Sequence, residues 1–457
     1  MTLVRSLFKC APRLVKLSVA LLLLFPSAYS AFAGETVSPK EIATKFLDSL
    51  ESKDFIKASA NFDEAMTEGL PPAKLADVWA SIQAEFGPVK SRDMATLNQK
   101  GEMQIVNVPI QCEKGALVAT ITINKKGKIA GFFVRPQTKP SADIPVTSKH
   151  VEREITVGTS EHGLPGTLTM PASPGGTRVP VVILVHGSGA TDRNETIGPN
   201  RPFFDLAQGL ADHGIAVIRY DKRSWARPQD FVNNNYSIDD ETTKDAVSAL
   251  EMARTIKGID PRRIFVLGHS QGGMLAPRIA HKSSHVAGVI LFAAPARPLS
   301  TLVVEQNRLM ASLDGKITAD EQEALNSLEK QFANLRRGAP VIKSSDSPLG
   351  LPAQYWRDLD RVDPLADAKS LNKPLLLLQG GRDIQVTQAD WALWQENLGG
   401  SPLSTLKFYP KLNHLGITGV EPASFDDSKI PGQVDLSLIA DISQWILELN
   451  KLQITTL

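Results

Sequence analysis

Cysteine is nearly absent from this chain: 457 residues contain two, Cys10 and Cys112. That excludes a disulfide framework and leaves stability to core burial. An excess of either charge is also missing, with 50 Lys and Arg against 49 Asp and Glu. No basic block and no basic-aromatic interleaving occurs, which excludes a nucleic-acid surface. No pair of histidines forms a recognisable ligand motif, so no metal site is expected, and no cofactor either. Internal repeats and low-complexity tracts are absent, which excludes solenoids and fibrous classes.

What is present begins with a leader. Arg5, Lys9, Arg13 and Lys16 form a basic region. Leu17 to Phe25 is apolar but too short to span a bilayer with ease. Ala31-Phe32-Ala33 has the A-x-A form of a cleavage site. Residues 1–33 therefore read as a signal peptide, with a mature chain starting at Gly34. A periplasmic or secreted protein is expected, with no stable membrane insertion after cleavage. Cys10 lies ahead of the apolar core, the wrong place for lipid attachment. Loss of the four basic residues leaves 46 basic and 49 acidic groups, a net charge of −3. Cys112 is then the only cysteine. Its β-rich surroundings predict a buried small apolar group.

Residues 34–140 read as a small α+β domain. Ile42, Phe46 and Leu50 share one helical face, and Leu75, Val78, Trp79 and Ile82 share another. Strand-like runs follow at Val89 to Leu97, Met103 to Gln111, Ala116 to Ile123 and Ile129 to Val134. Helices ahead of an antiparallel meander resemble the small nuclear-transport-factor-2-like domain. Thr138 to Val146, with Pro140 and Pro145, reads as a linker.

Residues 141–457 alternate strands and helices, which predicts a mostly parallel sheet covered on both faces. One interval breaks the alternation. Residues 299–372 form an insertion, in which Thr318-Ala319-Asp320-Glu321 is a capping box. It leads into Leu325, Leu328, Phe332 and Leu335 on one helical face. A helical cap over an active site is expected there.

Gly268-His269-Ser270-Gln271-Gly272 carries the most chemistry. This G-x-S-x-G stands between an apolar strand and a helix, as in the nucleophile elbow of α/β-hydrolases. A serine hydroxyl needs a base, and that base needs an orienting acid. In α/β-hydrolases the chain order is serine, acid, histidine. Of eight histidines only His414 comes late enough, just after the final strand. His269 is predicted to point away from Ser270. Asp383 follows the apolar strand Leu375 to Leu378 and a glycine turn, so it is the acid partner. Asp360 and Asp363 are alternatives inside the insertion, and Asp390 sits in the next helix. The oxyanion donors are expected to be the N–H of Gln271 and that of Ser188, with Gly189 as alternative. Ser188 lies in His186-Gly187-Ser188-Gly189, whose glycines allow close backbone approach. Trp225, Tyr355 and Trp356 are candidate pocket walls.

The wider pattern resembles a bacterial α/β-hydrolase esterase family. The resemblance rests on His186-Gly187-Ser188-Gly189, Asp192-Arg193-Asn194-Glu195-Thr196, Gly198-Pro199-Asn200-Arg201-Pro202-Phe203 and Arg219-Tyr220-Asp221-Lys222-Arg223. It covers nearly all of the mature chain, and members often carry the transport-factor-like domain in front. This chain departs at Ser224-Trp225, where a small residue or glycine is common, and at Asn194, where aspartate is frequent. The resemblance implies carboxylesterases acting on short acyl esters of small molecules, with related sequences described as serine aminopeptidases. Asp192, Arg193, Asp221 and Arg223 are expected to form one polar network beneath the oxyanion loop. A peptidase or amide hydrolase uses the same residues and is the competing enzyme reading. A non-catalytic envelope binding module is the third, disfavoured by an intact Ser, Asp and His. Ser370-Leu371-Asn372-Lys373 matches S-x-x-K but lacks its companion motifs.

Overall fold

The computed structural model describes residues 38–136, 149–231 and 236–454, apart from 101, 160–161, 173–176, 314, 342–345 and 420–422. The leader and the whole linker lie outside the described residues. The chain separates into two compact units, divided at Lys139 and Pro140.

The first unit opens with helices α1 (Pro39–Glu51), α2 (Phe55–Ser59), α3 (Glu64–Gly69) and α4 (Pro72–Phe86). Strands β1 (Val89–Arg92), β2 (Thr96–Lys100), β3 (Met103–Cys112), β4 (Ala116–Ile123) and β5 (Ile129–Pro136) follow. The sheet is antiparallel, ordered β1-β3-β4-β5, with β2 also on β3. Alternation puts Val106, Val108, Ile110 and Cys112 on the buried face with Leu117, Ala119, Ile121 and Ile123. There they meet Phe46, Leu47 and Leu50 of α1 and Leu75 and Trp79 of α4. The run Val89 to Leu97 divides into two strands, and Pro109 supplies a reason. Its carbonyl accepts from Asp93 N–H at 2.9 Å. Its nitrogen faces the same side of β3 and has no hydrogen to donate, so the ladder is interrupted there. Cys112 is buried, as its surroundings predict, and burial pushes its thiol pKa up.

The second unit holds an eight-stranded sheet. Its strands are β6 (His150–Val157), β7 (Leu164–Pro171), β8 (Val179–Val185), β9 (Ala216–Tyr220), β10 (Ile259–His269), β11 (Val286–Phe292), β12 (Leu375–Gly380) and β13 (Ser404–Tyr409). The order is β13-β12-β11-β10-β8-β9-β7-β6. Pairing is parallel from β13 to β9, and antiparallel at β9-β7 and β7-β6. Helices α5 (Pro202–Asp212), α6 (Arg223–Ala226), α7 (Lys244–Ala253) and α8 (Gln271–His281) come between the strands up to β11. Every residue of β8 is buried. Val181, Ile183 and Val185 face one core while Val182 and Leu184 face the other. That double burial is why the strand is apolar without alternation.

After β11 come α9 (Leu299–Ala311), α10 (Ala319–Arg336), α11 (Ala353–Leu359) and α12 (Pro364–Ser370), all before β12. This is the expected insertion. Thr318 and Glu321 form both bonds of the capping box. Leu325, Leu328, Phe332 and Leu335 are buried, and Phe332 packs edge-on against Trp356 at 4.9 Å. Helices α13 (Gln388–Leu398) and α14 (Leu436–Ile454) complete the unit. No helix among the described residues is long and apolar enough to cross a membrane.

Candidate active site

Ser270 stands where β10 gives way to α8, with φ 54° and ψ −122°. A non-glycine residue there is strained, and strain persists only where the surroundings hold it. Ser270 N–H donates to Phe292 O at 2.9 Å, and Met274 N–H donates to Ser270 O at 3.0 Å. Contact makes the flanking glycines obligatory. A Cβ on Gly268 would lie 2.1 Å from Gly272 O, and one on Gly272 would lie 2.2 Å from Val185 O.

Asp383 and His414 come together from the turns after β12 and β13. His414 Nδ1 donates to Asp383 Oδ2 at 2.8 Å, with both side chains buried. The other carboxylate oxygen accepts from Gln385 and Val386 N–H, each at 2.9 Å. Asn413 holds the histidine loop, its Oδ1 accepting from Leu415 and Ile417 N–H. His414 also lies beside the elbow: its backbone O accepts from His269 Nε2 at 2.9 Å. Among the described residues no hydrogen bond joins Ser270 Oγ to His414. Such bonds are commonly long in resting hydrolases and tighten with substrate. The alternative acids do not reach His414. Asp363 caps α12, Asp360 ends α11, and Asp390 is tied to Arg297 and the N–H of Ala296. Ser370 bonds back to Ala366 O, and Lys373 to Val286 O, so the S-x-x-K residues do not meet.

Gln271 opens α8, so its N–H belongs to the first turn, which has no intrahelical acceptor. Ser188 is exposed in the loop after β8, and among the described residues its N–H has no backbone acceptor. Gly189 beside it has φ 89°. Tyr355 reaches the elbow, its hydroxyl accepting from Gln271 Nε2 at 2.9 Å. Trp356 instead lies in the core of the insertion, with its Nε1 donating to Pro348 O at 2.9 Å. Trp225 is half-buried in α6.

The single polar network predicted beneath the oxyanion loop is divided. Arg193 forks onto Asp221 at 3.0 and 3.2 Å and reaches Glu154 at 2.6 Å. Asp192 caps its own loop through Asn194 and Thr196 N–H. Arg223, opening α6, turns to Asp245 at 2.8 Å and Asp230 at 3.0 Å. The start of a helix at Arg223 carries it away from Asp221. The two departures from the family pattern both enter half-buried bonds: Asn194 accepts from Arg219, and Ser224 donates to Glu241 at 2.9 Å.

Four titratable groups next to the elbow have no role assigned to them from the sequence. His269 Nδ1 pairs with Glu195 Oε2 at 2.9 Å, and Glu195 Oε1 accepts Gly187 N–H at 2.6 Å. Lys222 Nζ donates to Gly187 O at 2.8 Å and lies 3.3 Å from Glu241 Oε2. All four are buried. Positive φ at Glu195 marks it structurally, but it has no sequence signal. Glu241 hides in the acidic run Asp239-Asp240-Glu241, which reads as an ordinary helix start.

Burial and charge act together on these groups. Burial alone would raise Glu195, but the His269 charge and hydrogen bond hold its carboxyl below the ordinary value. Burial opposes charging of His269, but Glu195 outweighs it and the imidazole is shifted up. His186 behaves oppositely: burial pushes it down to about 4, against Glu195. Its ring packs on Phe203 and Tyr220, and Nε2 donates to Asp192 O at 3.0 Å. From the ordinary 6.5 down to about 4 the unfolded chain binds a proton that the folded His186 refuses. Stability is therefore lost as pH falls through that window, by about 3 kcal/mol at its lower end. His186→Gln keeps an N–H donor and is expected to show a flatter acid limb in denaturant midpoints between pH 7 and 4.5. Parallel limbs would rule out His186 as the source.

The chain is similar to several known proteins. Residues 43–132 match a family described as "Protein of unknown function (DUF3887)". Among solved structures, Est1E from Butyrivibrio proteoclasticus is 16% identical, covering 65% of this chain and 99% of its own, at a TM-score of 0.41. A Pyrococcus furiosus esterase is 18% identical, covering 62% and 89%, at 0.40. Esterase EstD of Thermotoga maritima is 35% identical over 408 residues, 88% of this chain and 94% of that protein. Residues 177–418 match the family described as "Serine aminopeptidase, S33", and with a relative that similar over nearly its whole length, the chain belongs to this family of α/β-hydrolases.

Proposed function

We propose that this protein is an exported carboxylesterase that hydrolyses short-chain acyl esters through Ser270, His414 and Asp383. The observation that carries the reading is the buried 2.8 Å pair of His414 and Asp383, held beside the strained Ser270 turn. Ser270 Oγ attacks the ester carbonyl carbon while His414 Nε2 takes its proton. The tetrahedral oxyanion is met by the N–H groups of Gln271 and Ser188. The C–O bond to the alcohol breaks, and His414 returns the proton to the leaving oxygen. Water then attacks the acyl-enzyme, giving its proton to His414, and Ser270 leaves with that proton as the acid is released. Asp383 keeps Nδ1 protonated so that Nε2 is the free base.

Export rests on the leader sequence at residues 1–33. The N-terminus of protein recovered from the cell envelope should be Gly34.

The family's peptidase members and the identical chemistry keep an aminopeptidase reading in view. Such an enzyme needs a carboxylate for the substrate's α-amine. Glu241, Glu195 and Asp383 beside the elbow are all committed, to Lys222, His269 and His414. This favours esters. Chromogenic esters from acetyl to long-chain acyl should be turned over with a preference for the short ones. Aminoacyl anilides should react slower by orders of magnitude, and the reverse order would overturn the esterase reading.

A further inference from the structure

Gly187 is gripped at both of its polar atoms by two separate buried ion pairs. Its N–H donates to Glu195, which is paired with His269. Its carbonyl accepts from Lys222 Nζ at 2.8 Å, and Lys222 is paired with Glu241. Lys222 is 1% exposed and Glu241 6%. Placing a lysine ammonium there costs solvation, and hydrophobic residues of similar size commonly serve stability as well. Core stability alone therefore does not account for the pair.

The position of Gly187 suggests what the pair does. A Cβ at Gly187 would lie 3.2 Å from Ser270 Cβ, so this backbone packs directly on the nucleophile. The next peptide N–H is that of Ser188. A trans peptide is planar, and its C=O and N–H point in opposite directions. Holding the Gly187 carbonyl on Lys222 thus fixes the direction of the Ser188 N–H. Among the described residues Ser188 N–H has no backbone acceptor to hold this peptide from its other side, and Gly189 after it sits at φ 89°.

We propose that Lys222 is the positioning residue of the oxyanion hole: by holding the Gly187 carbonyl it aims the Ser188 N–H at the developing oxyanion. The proposal rests on the esterase reading above. Glu241 keeps the ammonium in place. The same carboxylate continues through Tyr355 Oη, 3.4 Å away, to Gln271 Nε2 at 2.9 Å. The insertion and both predicted oxyanion residues therefore share one hydrogen-bond chain.

The test compares an ester with its thionoester, in which C=S is a poor hydrogen-bond acceptor. An enzyme that relies on its oxyanion hole strongly prefers the oxygen compound. Lys222→Met keeps the stem and removes the donor. It should lower kcat on the oxoester by about 10²–10³-fold, the usual effect of losing one oxyanion donor. KM should stay within about threefold, since this contact strengthens only in the transition state. The thionoester rate should fall far less, so the oxo preference collapses. Lys222→Arg, which keeps charge and donor, should recover part of it. If Lys222→Met leaves Glu241 too poorly paired to fold, Lys222→Met with Glu241→Gln removes both charges and is read the same way. Equal loss on oxo- and thionoester, or a lowered thermal midpoint with unchanged kcat, would overturn the proposal. A wild-type protein inert toward every ester would instead sink the esterase reading itself.

Discussion

Ser270→Ala is expected to lower ester hydrolysis by about 10⁴–10⁶-fold without moving the thermal midpoint by more than a few degrees. The loss is large because the alcohol oxygen is the atom that forms the acyl bond, and no neighbouring side chain can replace it. Residual hydrolysis should remain, since the backbone donors at Gln271 and Ser188 are untouched and still stabilise attack by water. His414→Ala should fall nearly as far. The double variant should be no worse than either single one, because nucleophile and base act as a unit. Asp383→Asn should lose about 10⁴-fold, since the amide N–H opposes the Nδ1–H tautomer. A fluorophosphonate should add its mass to Ser270 in the wild type and not in the alanine variant. Retention of a tenth of the wild-type rate in Ser270→Ala would mean that another nucleophile does the work. Strain should also be relieved at the substituted elbow only marginally, because φ 54° is imposed by the glycine contacts on either side.

Glu195→Gln should give the second largest effect, this time on stability. It removes the carboxylate bonded to the buried His269 ring, and breaking one side of a buried ion pair costs about 3–5 kcal/mol. For a unit of this size the thermal midpoint should drop by on the order of 10 °C. The sign of its pH dependence follows from the two shifts. Glu195 is held below its ordinary 4.5, so its contribution is complete above that value and is lost as pH falls through the lowered one. His269 is held above its ordinary 6.5, so its contribution is complete below that value and is lost as pH rises through the raised one. Wild type and variant should therefore differ most between about pH 4.5 and 6.5 and converge on either side. Activity should fall too, because the pair links Gly187 N–H to the His414 carbonyl and so joins the oxyanion loop to the base. A difference in stability that stays constant from pH 3 to 10 would show that Glu195 acts through shape and not charge.

The placing of Ser270, Asp383 and His414 in the turns after β10, β12 and β13 was legible because each is a local pattern: a strand, a tight turn and one polar residue. The buried strands and the capping box at Thr318 were legible for the same reason, since apolar runs and cap spacing are properties of neighbouring residues. The division of the strand run at Pro109 was not, because it depends on which side of β3 the missing N–H faces. Nothing next to His269 in the sequence reveals its partner. It meets Glu195 across 74 residues of sequence, and Gln271 meets Tyr355 across 84. The charged residues that hold Gly187 look like surface residues in the sequence, where Lys222 stands among Asp221 and Arg223 and Glu241 beside two aspartates. Fold class, the order of the candidate residues and the sharp turn follow from short-range sterics and hydrophobic pattern, which neighbouring residues carry. Which charges lie buried beside Gly187 follows from packing, because burial of an ion pair is set by what the rest of the chain places around it.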